Sequence, residues 1–438
     1  MAPHHDSTFT IPHASLGSPS RRRALLAVSA ALVSACSGES NEYAAEVLTV
    51  AAYPQIDEIV RRASASWESR NPGVRVNVLT RPYADHHTAM TTALSTTSGL
   101  PDVMALESSF VGRFSHGRGL QDLGLPAFGA LDLRDRFVPF AFEQGINQRG
   151  EVIALPTDIG PGTLLYREDL LRRSGVEWPA LNADWGAFIE AGRRIKRATG
   201  AFLLSNAQGL MDVVLRGSLR EGEGLYFNAR SGVLVQSERF ERAFELARAL
   251  RRDGLDARLP AWSNEWAEGF RRGAVATELS GAWMVGQMAN WVAPGTRGHW
   301  RVSHLPQGTF VSYGGSFYAM PRQLPESRKP LAWSLIRHLT LDPGLQLRAF
   351  QDQDAFPALL ETHDSPFFDE PLPFLGGQPA RQLWRTAARR ITALPVHRQN
   401  NFADEVVATE LDNVLDRGKS VAAALRDAHR LLEMRATR

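Results

Sequence analysis

The chain has 438 residues, 44% hydrophobic and 22% charged, with a formal net charge of +2. That length and apolar content exclude both a disordered chain and one small module, and a single cysteine excludes a disulfide framework or a multi-cysteine zinc site. The positive excess lies in Arg21, Arg22 and Arg23, so the rest lacks the basic surplus that a nucleic-acid partner would require.

The first 36 residues read as an address. Arg21-Arg22-Arg23 precede an apolar run over 24–33 and then Ser34-Ala35-Cys36, the order of a secretory signal. The run falls short of the roughly 20 apolar residues needed to span a bilayer. Val33-Ser34-Ala35-Cys36 resembles a bacterial lipobox, in which the cysteine thiol is lipidated and becomes the new N-terminus. Cys36 is therefore the expected lipidation site, and residues 37–45 a flexible polar tether. Ser20-Arg21-Arg22 also suggests a twin-arginine signal, leaving the export route open.

Residues 47–52 form a β-branched run that predicts a strand. Helical spacing at Ile56, Ile59, Val60, Ala63 and Trp67 follows, closed by Asn71-Pro72-Gly73. Val74-Arg75-Val76-Asn77-Val78 alternates as a second strand, so the opening is a βαβ unit with a parallel sheet. A helix is expected over 86–95 and strands over 102–106 and 150–156. Residues 167–252 read as largely helical, with helices over 167–174, 185–199 and 240–251 and a polar loop at 205–209. A helical tract at 265–272, strands at 300–305 and 316–320, a helix near 330–339 and a helical tail from 402 complete the pattern. There is no internal repeat.

Several segments together resemble an extracellular solute-binding protein of the carbohydrate-uptake ABC transporter type. Residues 67–76, with Asn71-Pro72-Gly73-Val74-Arg75-Val76, match that family's helix-to-strand turn, and Pro101-Asp102-Val103 its next strand. Residues 119–123, Leu155-Pro156 and Tyr166-Arg167-Glu168-Asp169-Leu170 follow in order, with Arg167 where asparagine is usual. Residues 270–276, Gly281-Ala282-Trp283 and residues 314–321 complete the series across nearly the whole mature chain. The resemblance implies an α/β fold, a two-lobed periplasmic-binding-protein-like clamp with three interlobe crossovers, placed near 155–161, 303–311 and 350–357. It divides the chain into an N-terminal lobe of 46–157 plus 306–352 and a C-terminal lobe of 158–305 plus 353–438. It implies a carbohydrate ligand in the cleft and delivery to the membrane permease subunits of an ABC importer. The chain is then a monomer, exported to the bacterial cell envelope, touching membrane only through its lipid anchor, without cofactor or metal.

A sugar offers flat C–H patches and paired hydroxyls, so its site needs aromatic faces and carboxylate or amide partners. The ten tryptophans are that resource. Trp283 follows the small-residue turn Ser280-Gly281-Ala282, where the resembled family places a stacking aromatic. Trp262 and Trp266 flank Ser263-Asn264-Glu265, and Trp262, off the helix, is the expected ligand contact of the two. Tyr53 and Gln55 end the first strand, and ligands of α/β sheets gather at the carboxyl ends of strands. Ser108 and Ser109 end another, beside Glu107. Asp158 stands at the first crossing as a hydroxyl acceptor. Asn206 and Gln208 match a sugar-contacting segment of the family; Gly314 and Gly315 admit a close backbone approach, with Tyr313 beside them. Arg398, Asn400 and Asn401 form a polar loop before the final helices.

Signals for catalysis are poor. Gly418-Lys419-Ser420 lacks the first glycine of a phosphate loop, and residues 314–318 lack the closing glycine of a nucleophile elbow. His86-His87 is not metal-ligand spacing and reads as solvated. Two other readings stay open: an exported glycan-acting enzyme using a carboxylate pair, and the same fold binding a non-sugar solute such as a phosphorylated polyol or polyamine. Arginines in the cleft would favour the phosphate, and paired acids with aromatic walls the polyamine.

Overall fold

The computed structural model describes residues 46–436 apart from 116, 221 and 396; the signal segment, Cys36 and the tether lie outside the described residues. Eight strands form one mixed sheet: β1 (Glu46–Ala52), β2 (Val74–Thr80), β3 (Val103–Glu107), β4 (Leu155–Arg167), β5 (Thr277–Gly281), β6 (Trp300–Ser303), β7 (Ser312–Ala319) and β8 (Phe356–Pro357). Their order is β2-β1-β3-β7-β4-β5, with β6 and β8 also paired to β4.

The opening βαβ unit forms as the sequence predicts. β1 pairs in parallel with β2, in the register Val50↔Val78, and with β3. Leu48, Val50, Ala51 and Ala52 are buried, as expected of a parallel strand covered on both faces. The helix Ile56–Glu68 lays Ile56, Val60, Ala63 and Trp67 on the sheet, one apolar stripe at helical spacing. Asp102, at the start of β3, accepts from the Thr49 amide at 2.6 Å and from Arg328 Nε and Nη2 at 2.7 Å. That partly buried pair ties the sheet to the later helix Lys329–Leu341.

β4 organises the rest. Its first half, through Pro161, pairs with β7 and at Asp158 and Ile159 with β8, and its second half, from Gly162, with β5 and β6. Register shifts at Pro156/Asp158 and Ile159/Pro161 mark the join. Gly160-Pro161-Gly162 has the composition of a turn, yet it runs as strand because β4 and β7 approach closely there. A Cβ on Gly160 would stand 1.8 Å from the Tyr313 carbonyl oxygen.

Three cores follow among the described residues, a small one around Ala51, Met104, Leu106 and Phe317 and two large ones. One large core gathers Val50, Val60, Trp67, Phe142, Trp266 and Ile336; the other Phe188, Leu210, Phe244, Leu411 and Leu425. Neighbouring β4 residues divide between them, Leu165 facing the first and Leu164 the second. The second core is roofed by helices such as Trp185–Thr199, which starts on Asp184, whose Oδ1 accepts from the Ala187 amide, and buries Phe188, Ile189 and Ile195.

Several boundaries differ from expectation. The strand expected over 150–156 starts only at Leu155; before it, Val152 makes one isolated bridge to Ile146. The polar loop expected at 205–209 opens the helix Ala207–Gly217. The helices Pro343–Gln353 and Ala380–Ala388 were not signalled. Among the described residues no helix is long and apolar enough to cross a membrane.

Candidate functional site

A cavity of about 760 Å³ opens where β1 and β3 end and β4 runs beside β7. Carboxyl ends of parallel strands converge there, which is where an α/β sheet leaves room for a guest. Tyr53 follows β1, Glu107 ends β3, Asp158 comes from β4, and Gly314, Gly315 and Ser316 come from β7. Trp262, Trp283 and Gln287 close one side, and Gln353, Asp354 and Ala355 another.

The aromatic walls are held by backbone. Trp283 donates its indole Nε1–H to the Tyr313 carbonyl at 2.8 Å. Its ring lies against Gly281, where a Cβ would be 2.3 Å from that nitrogen. Trp262, 52% exposed at the mouth, is stacked with Trp283 at a centroid distance of 5.8 Å and with Trp291 at 6.2 Å. Opposite in chemistry are two phenols, Tyr53 and Tyr83, edge to face at 5.5 Å. Tyr53 donates to Ser316 Oγ at 2.8 Å.

Three carboxyl groups reach the same space. Glu107 accepts from Tyr83 Oη and the Ser109 amide, both at 2.9 Å, from Ser108 Oγ at 2.7 Å, and from the Ser109 hydroxyl. Asp158 is pushed up to about 6, chiefly by burial and further by Glu107, against a hydrogen bond to Ser316 that lowers it. Its Oδ1 is buried and has no hydrogen-bond partner. Burial also pushes Asp354 up to about 6. Among the described residues no lysine, arginine or histidine lines this cavity.

Backbone strain concentrates here too. Three of the seven non-glycine residues with positive φ among the described residues, Gln55, Trp262 and Asp354, line the cavity. For tryptophan such a backbone is an outlier, retained where surrounding structure over-determines it. Gly315, at φ 126°, brings its Cα so near β4 that a Cβ would lie 2.8 Å from the Asp158 carbonyl.

A smaller chamber of about 140 Å³ adjoins the first through their shared Glu107 and Gly314. Ser108, Ser109, Tyr313, Asn400 and Asn401 line it, as does Arg216, whose charge is met by Asp212 at 2.8 Å. The Tyr313 hydroxyl is buried without a partner.

Of the residues singled out from sequence, Tyr53, Gln55, Asp158, Trp262, Trp283 and Gly315 meet in the main cavity. Ser108, Ser109, Tyr313 and Asn400 meet in the smaller one. Trp266 is core, 1% exposed. Asn206 and Gln208 lie in neither. Asn206 Oδ1 caps the helix Ala207–Gly217 by accepting from the Gln208 amide at 2.8 Å, and its side chain faces a separate groove with Arg251 and Arg258. Gln208 is exposed on that helix's first turn. An N-cap amide looks like a ligand amide in sequence, because both are polar side chains before an apolar run.

The histidine pair is also corrected: His86 and His87 are buried, not solvated. His87 donates from Nδ1 to the Tyr83 carbonyl at 2.8 Å, accepts from the Glu107 amide at 3.1 Å, and stacks on Phe110 at 3.9 Å. Burial holds both imidazoles down to about 4, so they are neutral supports behind the Tyr83–Glu107 pair. Tyr83, Gln287 and Asp354 went unrecognised. Gln287 lies one helical turn beyond Trp283, a spacing that could have flagged it, whereas Asp354 follows a helix that carried no clear signal.

Comparison with known proteins accords with this geometry. A family profile described as bacterial extracellular solute-binding protein matches residues 63–372. A lactose-binding protein of Rhizobium radiobacter is 24% identical over 364 residues, 80% of this chain and 82% of that protein. An arabinooligosaccharide-binding protein of Bacillus subtilis is 20% identical over 267 residues, 59% of this chain and 60% of that protein. The crystal structure of an extracellular solute-binding protein of family 1 superposes with a TM-score of 0.79 at 25% identity, covering 89% of this chain and all of that one. The sugar-binding protein MalE of Xanthomonas citri superposes at 0.75 with 22% identity, over 89% of this chain and 97% of its own.

Proposed function

Since the chain belongs to the bacterial extracellular solute-binding proteins, we propose that it captures a mono- or oligosaccharide in this cavity and delivers it to the membrane permease of an ABC importer. The observation that carries the reading is the cavity's chemistry: indole and phenol faces for C–H patches beside carboxyl and amide partners for hydroxyls. Relatives that bind lactose and arabinooligosaccharides support it. The lack of a lining arginine argues against a phosphorylated polyol.

In this reading the protein is a carrier and not an enzyme. The lobes, 46–157 plus 306–352 and 158–305 plus 353–438, close over a sugar that touches both, and the permease reads the closed shape. The chain acts as an exported monomer, held to the envelope by lipid on Cys36.

A thermal-shift screen against a sugar panel tests this. A ligand at 100 times its Kd adds about 2.7 kcal/mol of stability. Trp283→Ala abolishes the shift produced by whichever sugar binds. A panel without response overturns the sugar reading, and a sugar recovered cleaved after long incubation replaces carrier with enzyme.

A further inference from the structure

The main cavity holds three carboxyl groups and no base among its lining residues. None of Glu107, Asp158 and Asp354 forms an ion pair among the described residues. Several acids elsewhere on this arginine-rich chain are paired, Asp102 with Arg328, Asp256 with Arg251 and Asp212 with Arg216. In the adjoining chamber Arg216 is paired with Asp212.

Four protein donors from Tyr83, Ser108 and Ser109 converge on the two carboxyl oxygens of Glu107. With those donors in place, little of its accepting capacity is left for ligand hydroxyls. Its charge nevertheless reaches Gly314, whose Cβ position is 3.7 Å from Oε1. Asp158 stands across β4–β7 from Ser316, on the same wall, with a buried and unpartnered Oδ1. A neutral hydroxyl could satisfy that oxygen but would leave the charge on this wall unmatched. An ammonium does both, and the Tyr53 ring beside it adds a π face.

Resting on the sugar reading above, we propose that the ligand is an amine-bearing carbohydrate, its ammonium received between Glu107 and Asp158. The charge selects the amino sugar over its neutral parent, while the tryptophans hold the ring. This is a statement about ligand class at the same site, and it separates from the sugar reading by experiment.

Calorimetry at pH 7 with matched probes tests it: glucosamine with glucose, galactosamine with galactose, and the β-1,4-linked glucosamine disaccharide with cellobiose and with its N-acetylated form. Spermidine serves as a sugar-free amine. At least one amino sugar binds about tenfold or more tighter than its hydroxyl parent and its N-acetylated form. Asp158→Asn and Glu107→Gln each erase about tenfold of that preference, read as the ratio of amine to parent affinity within each variant. Apo melting curves verify folding, and Asp158→Asn alone carries the test should Glu107→Gln unfold. Neutral sugars that bind as tightly as their amines overturn the amine and spare the sugar reading. Spermidine binding without any sugar response, or silence from every probe, overturns both.

Discussion

Asp158 shows how one side chain trades stability for binding. Its carboxyl is raised from the ordinary aspartate value to about 6, first by burial and then by Glu107. The native state therefore prefers the protonated form, and stability is lost as pH rises from about 4 through 6. Asp158→Asn removes that cost. Its apo stability should exceed wild type at pH 8 by up to ~3 kcal/mol, with the gap closing as pH falls below 4. Urea titrations across that range measure it; a pH-independent difference would place the effect in packing rather than in charge. Residues that end strands, such as Tyr53 and Gln55, were legible from sequence because strand ends have a fixed place in this architecture. Asn206 and the histidine pair were not. Capping and ligand binding use the same amide chemistry, and a buried imidazole differs from a solvated one only through its tertiary neighbours.

At the scale of elements, the periodic helices were readable, whereas the crossing near 155–161 was expected but not its extension as one strand to Arg167. The helix Trp185–Thr199 announces itself by apolar spacing, an aspartate cap and a closing Gly200 at φ 76°. The helix Pro343–Gln353 buries only Leu345, Gln346 and Phe350, too little stripe to stand out. In β4 the glycines and proline that signal a turn in isolation serve instead to let two strands come close. That makes Gly160 a sharp test. Gly160→Ala forces a methyl group against the Tyr313 carbonyl, which also accepts from Trp283, so about 3 kcal/mol of destabilisation is expected together with weakened ligand binding. Melting temperature and calorimetry read the two effects, and a variant as stable as wild type would refute the close approach.

At the scale of the molecule, an opening parallel sheet and a helical second half were visible in the hydrophobic pattern, as was the family resemblance. The precise sharing of β4 between two cores was not, since Leu164 and Leu165 are indistinguishable until the sheets on either side are known. A strand shared by two cores, with register shifts at its centre, suits a hinge that bends without breaking hydrogen bonds at either end. Saturating sugar should accordingly reduce the radius of gyration in small-angle scattering. An unchanged profile, with binding established by calorimetry, would exclude closure.

The stack of Trp262 on Trp283, with Trp291 beyond, has a practical corollary. An indole half in water emits at longer wavelength than one covered by a guest, and neighbouring rings couple their electronic transitions. Occupancy of the cavity is thereby written into the ultraviolet spectrum of the unlabelled protein, as a blue shift in emission and a change in near-ultraviolet dichroism that Trp262→Leu would mute.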